Sequence, residues 1–281
     1  MGFNGIHEFN PVPASGGNGG SGGGDNSYNR SNPTLVTVGG LTAGTVLTGT
    51  VQDALDKQLF PYQAPYFTGF GISGQSQLLE IGAAIAAGTK TFVWTDANSG
   101  NITANSISII DETTSTTLAS GLANSGTTNI AVSAIPNTGI TSHTWQIQGT
   151  NSHSGAFSAQ FAVAWHPRRF AGTVPAANLS ALLGMTNSSD LAAVSGISFS
   201  INDLTYSKPG AGTYNCTGGK YIWFLWDATL GDGSFTSNGL GAAMQPKQVV
   251  SFTNANGITR NYYLYVTTNP QNGSAVQLTA N

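Results

Sequence analysis

One glycine pattern in this chain has the spacing of a dinucleotide-binding fingerprint. The pattern is Gly69-x-Gly71-x-x-Gly74. Asp96 follows at about the distance where such sites place an acidic residue. The fingerprint also requires a helix directly after it and further βα units in the same sheet. Here Gly82 interrupts the segment that would have to be helical, and no βα units follow. We therefore expect no nucleotide cofactor.

The four histidines are the next residues that could bind a ligand: His7, His143, His153 and His166. None of them has a second histidine or a cysteine at metal-ligand spacing. His143 and His153 lie near opposite ends of a predicted hairpin and could approach one another. Two histidines without a third ligand make a weak metal site. We interpret the histidines as surface or turn residues and expect no metal.

The cysteine and the aspartates give no stronger candidate for catalysis. Cys216, the single cysteine, lies among aromatic residues, whereas a reactive thiol needs a neighbouring histidine or other cation. Asp227 and Asp232 flank a glycine-containing loop that could bind Ca²⁺. Two carboxylates, however, fall short of the six to eight oxygen ligands that Ca²⁺ takes. The sequence therefore predicts a protein that is not an enzyme.

The low charge of the chain supports the same prediction. It has 9 Lys and Arg and 12 Asp and Glu among 281 residues, 7% in all, where an ordinary domain is about a quarter charged. No charged residue occurs from Thr113 to Pro167. The one basic pair, Arg168–Arg169, is interpreted as flanking a strand end, because nucleic-acid binding needs many clustered Lys and Arg residues. The composition favours a structural or binding protein without a nucleic-acid partner.

The first 33 residues have the composition of a tethered peptide. Residues 15–33 are rich in Gly and Ser and predict a flexible linker, so residues 1–14 form a separate peptide. Its apolar residues Phe3, Ile6 and Phe9 are predicted to anchor the chain to a partner, and a frayed terminus is the alternative. The start lacks the features of a signal peptide, and no apolar stretch approaches about 18 residues. We expect no membrane span.

Residues 34–64 are predicted to form a neck that contains a short helix. Val51, Leu55 and Leu59 recur at helical spacing, and Pro61 would end the helix. A helix of this length is marginal in isolation, so it must pack on the next domain or on copies of itself. We predict a homo-oligomer, with a trimer favoured, and these three side chains at its interface.

The rest of the chain has the alternating pattern of β-strands. Between residues 65 and 169, apolar side chains alternate with polar ones in runs separated by Gly, Asn and Ser turns, which predicts an immunoglobulin-like β-sandwich. Residues 170–281 predict a second, mainly β domain that begins with a short helix near residues 178–183. Asn256–Gly257 predicts a type I′ hairpin turn. The predicted fold class is all-β, with an extended N-terminal anchor and a short helix before the sandwich.

Aromatic residues are the most promising binding groups in the second domain. Tyr221, Trp223, Phe224 and Trp226 lie in one predicted strand, whose alternation would bury one set and could expose the other. Flat rings on a neutral, Asn-rich surface suit sugar recognition, and they also suit a subunit interface. The alternative is that both faces of this strand are covered by packing within the protein. Tyr221, Trp223 and Trp226 are therefore candidate glycan contacts.

Several of these segments resemble one family of virus proteins. The segments that show this resemblance include KTFVWTDANSGNITANSISIID, HTWQIQGTNSHSGAFSAQFAVAWHPRRFAG and GGKYIWFLWDATLG. They are similar to tailed-bacteriophage virion proteins of the structural, fibre or minor tail type. The resemblance extends from about residue 34 to residue 281. It rests on turn and core patterns, so it implies a fold and a broad role but no active-site residue.

The resemblance implies a virion protein that is assembled in the host cytoplasm. We expect a fibre or appendage subunit whose N-terminus binds other virion proteins of the capsid, neck or tail, with the β domains projecting outward. A capsid decoration protein is one alternative. A carbohydrate-binding module that attaches to a host surface glycan is another. A glycan hydrolase is not expected, because the acidic residues are too sparse to suggest the carboxylate pair that it needs.

Overall fold

The computed structural model describes residues 27–29, 48–50, 62–153 and 155–281. The chain divides into two compact units, Met1–Gln63 and Ala64–Asn281. In the first unit, strands β1 (Ser27–Asn29) and β2 (Thr48–Thr50) pair in antiparallel fashion. The residues predicted to anchor the chain and to form its oligomer interface lie outside the described residues and stay predictions: Phe3, Ile6, Phe9, Val51, Leu55 and Leu59.

The second unit begins with a β-sandwich. Its strands, among the described residues up to His166, are β3 (Tyr66–Ile72), β4 (Leu78–Glu80), β5 (Gly88–Ala97), β6 (Ile107–Asp111), β7 (Thr116–Leu122), β8 (Gly126–Val132), β9 (Thr141–Thr150) and β10 (Ala156–His166). One sheet has the order β3-β5-β8 and the other β4-β10-β9-β6-β7. β4 and β10 are parallel, and the other neighbours are antiparallel. Both sheets contribute side chains to one buried core, as expected for a β-sandwich, and the immunoglobulin-like plan of this sandwich stays a prediction.

Alternation along the strands builds the core of the sandwich. In β10, Phe161, Val163 and Trp165 point inward and are buried. From the opposite sheet, Phe92 meets Trp145 edge-on, with ring centroids 6.2 Å apart. Full burial of one large apolar side chain contributes about 1.5–3 kcal/mol, so these side chains are the principal stabilising contacts between the two sheets.

The C-terminal part of this unit contains two more sheets and two short helices. The strands are β11 (Arg169–Pro175), β12 (Ser198–Asp203), β13 (Gly210–Tyr214), β14 (Lys220–Asp227), β15 (Phe235–Ser237), β16 (Leu240–Gly241), β17 (Gln248–Thr253), β18 (Thr259–Val266) and β19 (Val276–Ala280), and the helices are α1 (Leu179–Leu183) and α2 (Ser188–Ala193). The sheets have the orders β12-β11-β14-β18-β17 and β13-β19-β15-β16. The Asn187 side chain accepts a hydrogen bond of 2.8 Å from the Asp190 N–H and so caps the start of α2. The all-β fold class is thereby confirmed for the described residues.

These elements form three layers with β14 in the middle one. Trp223 and Leu225 point from β14 into a cluster that includes Leu182 of α1. The alternate residues Phe224 and Trp226 point to the opposite side, into a cluster that includes residues of β13 and β19. The five-stranded sheet is therefore covered by helices on one face and by the four-stranded sheet on the other.

The hairpin of β17 and β18 corrects one detail of the sequence prediction. The two strands pair as expected. A type I′ turn needs positive φ at both central residues, but of Asn256 and Gly257 only Gly257 has a positive φ, 79°. The Asn254 side chain accepts hydrogen bonds from the backbone N–H of Asn256 and Ile258, at 3.0 and 2.9 Å. This local capping orders a longer loop, and the predicted turn type is wrong.

The tip of the same hairpin lies against the loop that follows β4. The amides of Asn254 and Asn256 donate to the Ile81 carbonyl oxygen, at 2.6 and 3.3 Å. Gly82 has φ 93°, and a Cβ there would lie 2.6 Å from the Ile258 side chain. Only glycine satisfies both this backbone conformation and this close approach. The sandwich and the three-layered part are thus joined by specific hydrogen bonds and tight packing.

Candidate functional site

The three candidate glycan contacts do not form a surface. Trp223 and Trp226 are each 0% exposed, and Tyr221 is partly buried against the helical layer. Trp226 stacks on Tyr265 with ring centroids 4.7 Å apart, and its indole N–H donates to the Gly231 carbonyl oxygen at 3.1 Å. A ring covered on both sides cannot stack on a sugar. The prediction of Trp223 and Trp226 as glycan contacts is wrong, because β14 lies between two packed layers.

The histidines are spread over separate parts of the sandwich. His143 lies opposite Val163 near one end of the β9–β10 hairpin, and His153 lies in the connecting turn. At about 3.3 Å per strand residue, roughly 25 Å separate them, so they do not approach one another. His166 forms a 2.9 Å hydrogen bond through Nδ1 with the Leu204 carbonyl oxygen, as expected for a residue at a strand end.

One titratable pair was not anticipated from the sequence. His143 Nε2 lies 3.0 Å from Asp111 Oδ2, and the two residues are only 6% and 7% exposed. The pair forms because β6 and β9 place Asp111 opposite Trp145, and His143 lies two residues before Trp145 on the same face. Asp111 Oδ1 also accepts the Thr114 N–H, at 3.1 Å. The available signal was two adjacent acidic residues, Asp111 and Glu112, after the predicted strand residues Ile107 and Ile109 and directly before the uncharged stretch.

A cavity of about 480 Å³ opens beside this pair. Asp111 and His143 line it together with Thr113, Thr114, Thr116, Leu118, Ala131, Val132, Ser133, Ala134, Ile135 and Pro136. The Asp111 carboxylate can only accept hydrogen bonds when ionised, so it fixes the proton of a neutral His143 on Nε2. Nδ1 is then an acceptor. The cavity therefore combines one basic nitrogen, several hydroxyl groups and an apolar wall.

Most charged side chains described in the C-terminal part form ion pairs within the fold. Arg169 opens β11 and forms two parallel hydrogen bonds with Asp203, at 2.8 and 3.1 Å. Its neighbour Arg168 pairs with Glu80 at 3.5 Å. The basic pair thus flanks the start of β11, as predicted.

The two aspartates considered for Ca²⁺ are also engaged by cations. The Asp227 carboxylate accepts hydrogen bonds from Arg260, and Asp232 pairs with Lys247. Among the residues that the structure describes, no three or more His, Cys, Asp or Glu side chains are grouped so that they could hold a metal ion. In the same residues, no helix has the length and hydropathy needed to cross a bilayer.

Cys216 is expected to be inert in the folded protein. Its thiol is fully buried, and burial raises its pKa, although Lys220 opposes this shift. Because the thiolate is the reactive form, we expect a thiol reagent such as a disulfide-exchange chromophore to label Cys216 slowly under native conditions. Labelling should reach one thiol per chain in denaturant. Rapid labelling of the native protein would contradict the burial of this residue.

Comparisons with known proteins give no family. No family model and no curated protein matches the chain. Among solved structures, it is similar to the α-L-rhamnosidase of Streptomyces avermitilis in complex with L-rhamnose, with 11% identity and a TM-score of 0.23. The match covers 76% of this chain and 23% of the rhamnosidase. A similarity at this level carries no argument about activity.

Proposed function

We propose that this chain is a non-enzymatic structural protein of a phage virion, a fibre or appendage subunit held to the particle by its N-terminus. The observation that best supports the proposal is that packed layers cover both faces of β14. Trp223 and Trp226 are therefore buried in the core and stabilise the fold. A scaffold is expected to bury its strand aromatics, whereas a lectin presents flat rings together on its surface. The resemblance of residues 34–281 to virion proteins supports the same role.

The ion pairs support the proposal in a second way. Arg169, Arg260 and Lys247 each contact an acidic partner within the fold. These charges hold strands and loops in place, and only 7% of the residues in the chain are charged at all. Such a surface suits a durable appendage. It attracts few counterions, so its behaviour should depend little on salt.

The proposed attachment of the subunit through its N-terminus can be tested by deleting the N-terminal peptide. Deleting residues 1–14 removes Phe3, Ile6 and Phe9 but leaves Ala64–Asn281, which forms its own compact unit. We expect the shortened chain to fold and to be absent from purified particles. Immunoblots of particles assembled with the full or the shortened chain would measure this incorporation.

The matched control deletes ten residues of the linker, 15–24, and keeps the peptide. This variant should still enter particles, because a flexible tether tolerates a change of length. Normal incorporation of the chain without residues 1–14 would contradict anchoring by the peptide. Particles that never contain the full-length chain would contradict the virion role itself.

A further inference from the structure

The cavity beside Asp111 and His143 has features that the proposed structural role does not require. Both residues are more than nine-tenths buried, yet they line an open space of about 480 Å³. Cavities of this size are typical of small-molecule sites. Burying a polar, hydrogen-bonded pair costs desolvation energy that well-packed apolar residues would avoid.

The hydrogen bonds of the pair leave one ring nitrogen for a ligand. Nε2 of His143 is engaged by Asp111, and Asp111 Oδ1 is engaged by the Thr114 N–H. Within the described part of the chain, Nδ1 of His143 has no hydrogen-bond partner, although its ring lines the cavity. With the proton held on Nε2, Nδ1 accepts a hydrogen bond, so the group it recognises is an O–H or N–H donor.

The remaining lining residues restrict the ligand further. Thr113, Thr114, Thr116 and Ser133 contribute hydroxyl groups. Thr113 Oγ1 already accepts the Thr144 N–H and Thr116 Oγ1 donates to the Thr114 carbonyl oxygen, so Thr113 keeps its O–H donor and Thr116 its acceptor lone pairs for a ligand. Leu118, Val132, Ile135 and Pro136 contribute apolar surface. The lining contains no Lys or Arg, and its one carboxylate is already hydrogen-bonded, so it offers little to an anion. A ligand with alternating C–H and O–H groups matches this combination.

We propose that this cavity binds a neutral, polyhydroxylated ligand of monosaccharide size, with one ligand hydroxyl donating to His143 Nδ1. The threonine hydroxyls bind further ligand hydroxyls, and the wall of Leu118, Val132 and Ile135 packs on the C–H face of the ring. This inference does not depend on the virion role. It places recognition in the sandwich, through hydroxyl groups and a histidine, and not in the buried tryptophans of the C-terminal part.

The test is a titration of the full chain labelled with ¹⁵N-histidine. The probes are the methyl glycosides of glucose, galactose and mannose, with glucuronate as the anionic probe. The imidazole nitrogen resonances report directly on the site. We expect at least one neutral glycoside to shift the Nδ1 resonance of His143 in a saturable way and to leave those of His153 and His166 in place. Glucuronate should bind more weakly.

A matched pair of variants separates binding from general effects on the fold. Thr116→Val keeps the shape of a lining residue but removes its hydroxyl, and we expect it to weaken binding roughly tenfold, the cost of one hydrogen bond. Thr117→Val changes the neighbouring threonine, which does not line the cavity, and should bind as the wild type does. The proposal is overturned if no neutral glycoside gives a saturable shift at His143. It is also overturned if both variants bind equally well.

Discussion

Replacing Gly172 with alanine is expected to separate β12 from β11 and to destabilise the C-terminal part severely. A Cβ at this position would lie 1.8 Å from the Ser198 carbonyl oxygen and 3.2 Å from the Phe199 Cα. These are backbone atoms, so no side-chain rotation can relieve the contact. The pairing register also shifts between Ala171 and Gly172, which brings the two backbones together there. We expect the free energy of unfolding to fall by about 4 kcal/mol or more, as for severe disruptions of a core.

The matched control for this substitution is Gly241→Ala in β16. A Cβ at Gly241 would have no atom within 4 Å, and Gly241 does not adopt a positive φ. We expect a change within about 0.5 kcal/mol, as for most surface substitutions. Urea unfolding of the full-length variants would measure both values. Equal losses for the two glycines would show that the close approach at Gly172 is not the cause.

Removing the partner of Asp227 is expected to have the second largest effect. Asp227 is 1% exposed and accepts hydrogen bonds from Arg260 and from Thr229. Arg260→Ala leaves the buried carboxylate with the Thr229 groups alone. Breaking a buried ion pair in this way costs about 3–5 kcal/mol. Because the Arg260 side chain is 24% exposed, we expect a loss near the lower end, about 3 kcal/mol at neutral pH.

The same ion pair makes the stability depend on pH. Burial by itself raises the pKa of Asp227, but the hydrogen bonds from Arg260 and Thr229 outweigh it and hold the pKa below its ordinary value of 3.8. A carboxyl group whose pKa is lower in the folded state stabilises the fold above the unfolded pKa. This stabilisation is lost as the pH falls through the folded pKa. Without Arg260, burial works to raise the pKa of Asp227 in the folded state. Protonation then neutralises the unpaired buried charge, so the destabilisation caused by Arg260→Ala should shrink as the pH falls.

Unfolding free energies measured between about pH 2 and pH 7 would test this dependence. The control is Lys247→Ala, because Lys247 pairs with Asp232, whose side chain is 71% exposed. Such surface pairs contribute about 0–1 kcal/mol. Identical pH profiles for the Arg260 and Lys247 variants would contradict a special role for the buried pair.

The strands of the sandwich could be predicted because each has one buried and one less buried face. In β10, apolar side chains recur at every second residue from Phe157 to Trp165, and the structure places them in the core. β14 has apolar side chains at consecutive positions from Tyr221 to Trp226. Such a run marks a buried strand, but alternation cannot show which face is covered. The covering layers come from α1 and β19, which are distant in sequence, and this is why the glycan contacts were misplaced.

The Asp111–His143 pair could not be predicted for a related reason. The two residues are 32 positions apart and belong to no local motif. They meet because β6 pairs with β9 in one register, and a shift of one residue would turn His143 to the opposite face. The type of the turn at Asn256–Gly257 was predicted wrongly for a local reason. The side chain of Asn254, two residues earlier, decides the loop geometry there.

The covering of β14 on both faces also determines how this part of the chain unfolds and where its sequence can diverge. One backbone supplies side chains to both hydrophobic clusters, so neither cluster can come apart alone. We expect the helices, the five-stranded sheet and the four-stranded sheet to unfold as one cooperative unit. Inherited substitutions that preserve the fold should then accumulate at loops and at edge strands such as β16, where Leu240 is 74% exposed. The exterior of such a protein can diversify quickly around an interior that hardly changes.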